Sequence, residues 1–249
     1  MAARVPAGIL RLDPHGAAML DFLDGRYDNS FFYVRDDGFA SPMDITRRFA
    51  GYPAFPAAEK DACELARGRV LDIGCGSGKH LTFLRTKGMI CAGVDNSPVV
   101  MTVLRRRRIE GVFRMDAFRL GIGPTAFDTV TLFSNGLSMG GSVPGIRRLL
   151  AEFHRVTTPA GRIVVTNVDV RRSPHEHDHR YHRANLASGR LRGQLTLRCR
   201  YRGVCGPPFP WLLLSPGELS DVVAGSGWQV MDVRSQPDGT YCALLGKCG

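Results

Sequence analysis

The stretch Val70-Leu71-Asp72-Ile73-Gly74-Cys75-Gly76-Ser77-Gly78-Lys79-His80 decides the fold of this 249-residue chain. Val70–Ile73 reads as a short buried strand. It runs into three alternating glycines and then a helix over about 79–87. Glycine lacks a Cβ, so the backbone turns tightly there and a ligand can approach it closely. In a doubly wound sheet, the carboxyl end of such a strand near the switch point is where ligands bind. The spacing is not that of the dinucleotide fingerprint GxGxxG, and Gly78-Lys79-His80 lacks the Ser/Thr that closes a P-loop. The acid two residues before the first glycine, Asp72, suits a cationic amino group and disfavours a pyrophosphate.

Strand and helix signals alternate downstream. Ile90–Val94 is a second strand. Ser97 and Pro98 then supply an N-cap and a first-turn proline, and Val99, Val100, Val103 and Leu104 fall on one helical face. Gly111–Met115 and Phe127–Phe133 are further strands. Ile146, Leu149, Leu150, Phe153 and Val156 recur at helical spacing. Pro159–Gly161 is expected to end that helix, with Arg162–Val168 as the fifth strand. Ser215-Pro216-Gly217-Glu218 reads as a capping box. Trp228–Val233 and Tyr241–Gly246 flank a Pro-Asp-Gly turn and read as a closing hairpin. The expected class is α/β, a doubly wound and mostly parallel seven-stranded sheet. A cap region, 1–66, precedes the main domain, 67–249, and a segment over 170–214 is inserted after strand five. Acids close later strands. Asp95 can accept hydrogen bonds from both hydroxyls of a ribose, and Asp116 can meet an adenine amino group.

Composition narrows the class. The formal charge is +10, from 33 basic and 23 acidic residues. Only Lys60, Lys79, Lys87 and Lys247 are lysines, so the excess is an arginine bias and weak evidence for an acidic substrate or a nucleic acid. The seven cysteines, Cys63, Cys75, Cys91, Cys199, Cys205, Cys242 and Cys248, are odd in number and contain no CxxC. That favours a reducing compartment over a disulfide framework or zinc–thiolate site. No apolar run has the length of a membrane span, and the N-terminus lacks the apolar core of a secretory signal. The expected location is the cytoplasm.

At these motifs the chain resembles the class I S-adenosylmethionine-dependent methyltransferases. VLDIGCGSGKH is similar to their first motif, VDNS to the acidic second and FRMDAF to the third. FDTVTLFSNGLSM is similar to the fourth, and LLAEFHRVTTPAGRIVV to the helix–turn–strand after it. The likeness spans about residues 69–169, and the tail more loosely. It implies S-adenosyl-L-methionine as cofactor on a Rossmann-like sheet. Asp72, Gly74, Cys75, Gly76, Ser77 and Gly78 would line the methionine portion, and Asp95 and Asn96 would hold the ribose. Asp116, Ala117 and Phe118 would surround the adenine, and Phe133, Ser134 and Asn135 would border the methyl group.

Departures from the family narrow the acceptor. Phe133-Ser134-Asn135-Gly136 replaces the Asn/Asp-Pro-Pro-aromatic segment common in enzymes that methylate base amino groups. Ser134 and Asn135 also stand where metal-dependent relatives carry acidic ligands, so no catalytic metal is expected. His175, His177, His179 and His182 lie among Arg171, Arg172, Arg180 and Arg183, which read together as a solvated or substrate-facing loop. Tyr33 and His182 are the candidate proton acceptors, and Tyr27, Arg200 and Tyr201 the candidate substrate contacts. RGQLTLRCRYRG alternates with period two, as an edge strand with solvated arginines or a substrate-facing one would. The cap and the insert are expected to form a lid over the methyl group. The reading is methyl transfer to a small molecule, possible in specialised metabolism. The alternatives are an RNA or protein acceptor, or a cofactor-binding regulator without turnover. Acceptor atom and oligomeric state are not legible.

Overall fold

The computed structural model describes residues 5–248; the first four residues of the cap region and Gly249 lie outside the described residues. The cap contains α1 (Ala7–Leu12), α2 (Pro14–Leu23), β1 (Phe31–Arg35), β2 (Ala40–Pro42) and α3 (Ala57–Leu65). The chain continues with β3 (Arg69–Ile73), α4 (Lys79–Thr86), β4 (Ile90–Asp95), α5 (Pro98–Arg106), β5 (Val112–Arg114) and β6 (Phe127–Leu132). Next come α6 (Val143–Val156), β7 (Thr157–Val168), α7 (Glu176–Ala187), β8 (Gln194–Tyr201), β9 (Val204–Cys205) and β10 (Phe209–Leu212). The chain closes with α8 (Pro216–Val223), β11 (Trp228–Ser235) and β12 (Thr240–Lys247).

The large sheet has seven strands in the order β11-β12-β7-β6-β3-β4-β5. β3 pairs in parallel with both β4 and β6, so the winding reverses at β3. The crevice outside the carboxyl ends of β3, β4 and β6 is therefore the ligand position this topology favours. β12 runs antiparallel to β7 and β11, which closes the sheet with the expected hairpin. The apolar stripe of α6, Ile146 to Val156, is fully buried against Leu71, Val130, Leu132, Ile163 and Val165. Val70, Leu81, Leu84, Val99, Val103 and Val164 fill the second core on the other face. Ser97 caps α5 by accepting from Val99 and Val100 N–H, and Ser215 and Glu218 form the reciprocal capping box of α8.

Two expectations change. Residues 170–190 are not a loop, because α7 occupies Glu176–Ala187. Its buried residues are Tyr181, His182 and Asn185, so no apolar stripe announces it. It is held instead by acids in its first turn, which suit the positive end of the helix dipole, and by polar contacts to the cap. β7 begins at Thr157 and continues through Pro159–Gly161. Its pairing with β6 jumps from Phe127–Thr157 to Thr129–Arg162, which accommodates the irregular segment.

The cap and the insert build a second sheet together, in the order β10-β8-β1-β2, with β9 on β8. β8 is thus an interior strand rather than an edge. Its partner β1 lies more than 150 residues away, in the register Phe31–Tyr201, Phe32–Arg200 and Tyr33–Cys199. This small sheet packs on α2, which packs in turn on α5, and β10 lies against the turn after β6. A Cβ on Gly141, at the end of that turn, would meet Pro210 at 2.6 Å.

Candidate functional site

The glycine loop is tied to β4 by the Gly74 and Cys75 N–H groups, which both donate to the Val94 carbonyl at 2.8 and 3.0 Å. Asp95 then bridges two loops. One oxygen accepts from Gly76 N–H at 3.1 Å and the other from Ser97 N–H at 3.0 Å. Burial raises its carboxyl above the ordinary value, against those amide bonds. Gly74 and Gly76 have φ of 68° and 53°, which an L side chain rarely adopts. A Cβ at Gly76 would touch only the Gly74 carbonyl, at 3.9 Å, so the loop borders open space. That is the form of a ligand cradle. At Gly74 the nearest neighbour would be the Met139 methyl at 3.4 Å.

Asp72 lies under this loop and is buried. Thr131 donates to Oδ1 at 2.9 Å, while Oδ2 is buried without a partner. Burial pushes the carboxyl up to about 7. The Thr131 bond opposes that shift, Glu59 and Asp95 add to it, and Lys79 opposes it. An orphaned carboxylate oxygen beside an open glycine cradle is where a ligand cation gains most.

A buried cluster fixes the floor. The Lys79 ammonium donates to Glu59 at 2.7 Å, His80 Nε2 lies 3.0 Å from the same oxygen, and Ser134 Oγ donates to the other at 2.7 Å. Burial alone would raise the Glu59 carboxyl, but His80 and Lys79 hold it well below the carboxylate range. Burial lowers His80 to about 4 despite Glu59. The pair is therefore a carboxylate and a neutral imidazole donating from Nε2. The His80 ring stacks on Phe133 at 3.7 Å. Ser134 and Asn135 both have positive φ, 52° and 64°. Consecutive non-glycine residues in that region carry strain. Ser134 is held by Glu59, and Asn135 by its N–H to the Thr166 carbonyl at 3.1 Å.

The third expected pocket is looser. Asp116 is exposed, just beyond β5, and accepts from Phe118 N–H at 2.9 Å. Ala117 and Phe118 are half-buried against the core, Asn96 lies beside the bridging Asp95, and Arg114 donates to the Asn96 carbonyl.

The cap is fastened to the loops that follow β3 and β4. Ser77 Oγ donates to the Arg48 carbonyl, and Ser97 Oγ to Asp13. Arg107 donates to the Ser77 carbonyl and lies over Phe49. Between these fastenings sit three side chains. Burial raises the Tyr33 hydroxyl, which the Arg48 guanidinium faces. His15 packs against Phe31 at 5.4 Å, and its Nε2 is buried without a partner. Burial and then Arg48 lower that imidazole to about 4.

The candidate proton acceptors stand apart. His182, on α7, is buried with Nδ1 unpartnered, and burial lowers its imidazole. The charged groups around it are Asp178, Arg192, Arg35 and His179, not those around Tyr33. The buried Arg35 binds Asp37 and Asp178, both at 2.8 Å, and lies over the Tyr181 ring. The candidate substrate trio does not converge. Tyr27 donates to the Met43 carbonyl and stacks on Tyr201, which donates to Asp21. Arg200 lies 4.7 Å from Phe32 on the other face of β8, because alternate residues of a strand point to opposite faces. His177 stacks on Phe39, and among the described residues no three His, Cys, Asp or Glu side chains are grouped to hold a metal ion. A cleft lined by Arg67, Arg162, Met231 and Lys247 lies at the amino ends of the strands, away from all these groups.

Sequence reading did not single out Glu59, Lys79, His80, Asp13, His15 or Arg48. Lys79 and His80 follow the third glycine directly, and that position is the one signal they offered.

Residues 70–161 match the family model of a methyltransferase domain. A solved S-adenosylmethionine-dependent methyltransferase from Bacteroides fragilis, in complex with S-adenosyl-L-homocysteine, is similar over 99% of this chain and 98% of its own, with TM-score 0.82 and 23% identity. One from Methanosarcina mazei covers 78% of this chain and 98% of its own at TM-score 0.60 and 17% identity. The 1,6-didemethyltoxoflavin-N1-methyltransferase of Burkholderia thailandensis, with bound 1,6-didemethyltoxoflavin and S-adenosylhomocysteine, covers 100% of this chain and 94% of its own. Its TM-score is 0.56 and its identity 16%. No curated protein matches the chain in sequence.

Proposed function

We propose that this chain, an S-adenosylmethionine-dependent methyltransferase of class I, transfers its methyl group to a small molecule held between the cap and the carboxyl ends of β3, β4 and β6. The observation that carries the reading is the shared sheet. β1 of the cap pairs along its whole length with residues 197–201 of β8 in the insert, and β10 rests on the turn after β6. Such a cover suits an acceptor small enough to be enclosed, and it limits access for a folded RNA or protein. The Burkholderia enzyme, similar in fold over the whole chain, is a 1,6-didemethyltoxoflavin-N1-methyltransferase with that acceptor bound.

The residues fit the cofactor. Asp72, with its orphaned oxygen, suits the amino group, and the open backbone of Gly74 to Gly78, with Cys75 and Ser77, suits the methionine chain. Asp95, with Asn96, suits the ribose, and Asp116, Ala117 and Phe118 the adenine. When bound, the cofactor supplies a methyl group on cationic sulfur, already joined to a good leaving group. The protein's part is then chiefly to position the acceptor and exclude water. Glu59 holds Ser134 and the start of α4 in one arrangement, which fixes the Phe133–Asn135 border. His182 is the candidate proton acceptor for a protonated nucleophile. It is neutral near pH 7 because burial lowers it, and its free Nδ1 can take a proton.

The test is transfer of isotopically labelled methyl groups into three separate pools: metabolites below about 1 kDa, RNA and protein. Label in the metabolite pool supports the proposal. Label only in RNA or protein overturns it. Cofactor binding with no labelled product in any pool favours a regulator. No described helix is long and apolar enough to cross a membrane.

A further inference from the structure

The cleft at the amino ends of the strands lies at the far end of the sheet from the glycine cradle. β7 leaves its pairing with β6 between Thr157 and Arg162, and residues 159–161 of that detour line the cleft together with the β11–β12 hairpin. Three cations face the same space: Arg67, Arg162 and Lys247. Each is held in place from behind. Arg67 exchanges two backbone hydrogen bonds with the Thr129 hydroxyl, at 3.1 and 2.7 Å. Arg162 Nη1 donates to the Leu65 carbonyl at 3.2 Å, while its Nε is buried without a partner. The Lys247 ammonium donates to the His154 and Thr157 carbonyls at 2.8 and 2.9 Å, which leaves one of its three donors over. No acid lines the cleft among the described residues. The acids close to it in the chain are committed, Asp128 to Arg69, and Asp232 and Glu64 to Arg234. Burial lowers the Arg162 guanidinium and Arg67 lowers it further, with no carboxylate to offset either. Burial lowers the Lys247 ammonium as well. Like charges gathered and partly desolvated in this way are costly until an anion joins them.

We propose that Arg67, Arg162 and Lys247 form a binding site for a phosphoryl group, separate from the methyl-transfer site. The charges set the sign of the ligand, and the donors set its shape. Two guanidinium forks and an ammonium offer more N–H groups than the two oxygens of a carboxylate can meet. A tetrahedral phosphate presents oxygens in several directions and answers all three cations at once. The cleft holds about 220 Å³, less than the roughly 300 Å³ at which drug-sized ligands are enclosed. Its occupant is therefore inorganic phosphate or a small phosphate ester, the organic part of an ester resting on Met231 and Leu244. Bound there, the phosphoryl group ties the residues before β3 to β7 and β12, and it stabilises the folded chain by mass action.

The experiment is calorimetric titration of the wild type with inorganic phosphate, glycerol 3-phosphate and acetate, with and without saturating S-adenosylhomocysteine. The wild type should bind one phosphoryl ligand per chain with a dissociation constant below about 1 mM, the same in both conditions. Arg67→Met should weaken that binding at least about ten-fold, as loss of a charged hydrogen bond implies. Arg180→Gln, an exposed change on α7 outside the cleft, should leave it within about two-fold. Tighter binding of glycerol 3-phosphate than of phosphate supports the site with an ester as its occupant, and the reverse order supports it with the free ion. Should Arg67→Met fail to fold, the methyl resonance of Met231, which lines the cleft, carries the test in the wild type by moving as phosphate is added. A Met231 signal that stays still overturns the proposal, as does absence of phosphoryl binding. Acetate bound as tightly as phosphate overturns it too, and so does equal weakening in Arg67→Met and Arg180→Gln, which would reflect net charge alone. Displacement of phosphate by S-adenosylhomocysteine would put the anion in the cofactor crevice and overturn it as well.

Discussion

Asp72 should make cofactor binding release protons. Its carboxyl is pushed up from 3.8 to about 7, which corresponds to roughly 4 kcal/mol against the ionised form. In the free protein about half of the molecules would carry the proton at pH 7, and about nine-tenths at pH 6. A ligand ammonium reaching Oδ2 restores the charge and drives that proton off. Binding of S-adenosylhomocysteine at pH 7 should therefore release about 0.5 proton through Asp72, rising toward about 0.9 at pH 6. The assay is calorimetry in buffers of different ionisation enthalpy. The groups facing Asp72 are Thr131 on β6, Glu59 on α3, Asp95 on β4 and Lys79 on α4. Asp95 and His15 can also exchange protons on binding, so the relevant quantity is the wild type minus Asp72→Asn. The stability sign follows from the raised value. The folded state holds the proton more tightly than the unfolded state, so this group's contribution is intact below about pH 4 and is lost as pH rises through about 7. If wild type and Asp72→Asn release the same number of protons at pH 6 and 7, the ammonium does not meet Asp72 and the reasoning fails.

Further outcomes follow from the same contacts. Asp95→Ala should weaken S-adenosylhomocysteine by about 1.5–3 kcal/mol, the worth of a charged acceptor; an unchanged dissociation constant places the ribose elsewhere. Glu59→Ala leaves Lys79 buried without its counter-charge and should cost about 3–5 kcal/mol of stability, read by denaturant unfolding. A loss below about 1 kcal/mol would mean that Lys79 reaches water instead. Arg200→Ala, on the face of β8 away from Tyr33, should leave cofactor affinity and turnover within about two-fold, as surface changes usually do; a large loss would put the acceptor on that outer face. His182→Ala should lower kcat on the natural acceptor by about a hundred-fold or more with cofactor affinity intact, and unchanged turnover would remove it as proton acceptor.

The sequence by itself determined the seven-stranded doubly wound sheet, because each of its signals is local. A strand ending in Gly74-Cys75-Gly76-Ser77-Gly78, the Ser97-Pro98 cap, the apolar stripe Ile146 to Val156 and the Pro-Asp-Gly hairpin each dictate their element within a few residues. The acids Asp72 and Asp95 were legible for the same reason, since the strand that carries each one fixes its end. Tertiary structure alone decided what lies above that sheet. Helix α7 is pinned by Arg35 binding Asp178 and by Tyr181 donating to Asp36, contacts between residues more than 140 positions apart that leave no periodic trace. β8 pairs with β1 across a similar separation, so which of its faces meets Tyr33 depends on register. That register put Arg200 opposite Phe32 and separated it from Tyr33. Glu59, Arg48 and His15 come from segments that sequence patterning reads only as helix or turn. Their chemistry arises from burial, where a missing partner costs far more than in water, and burial is a property of the assembled fold.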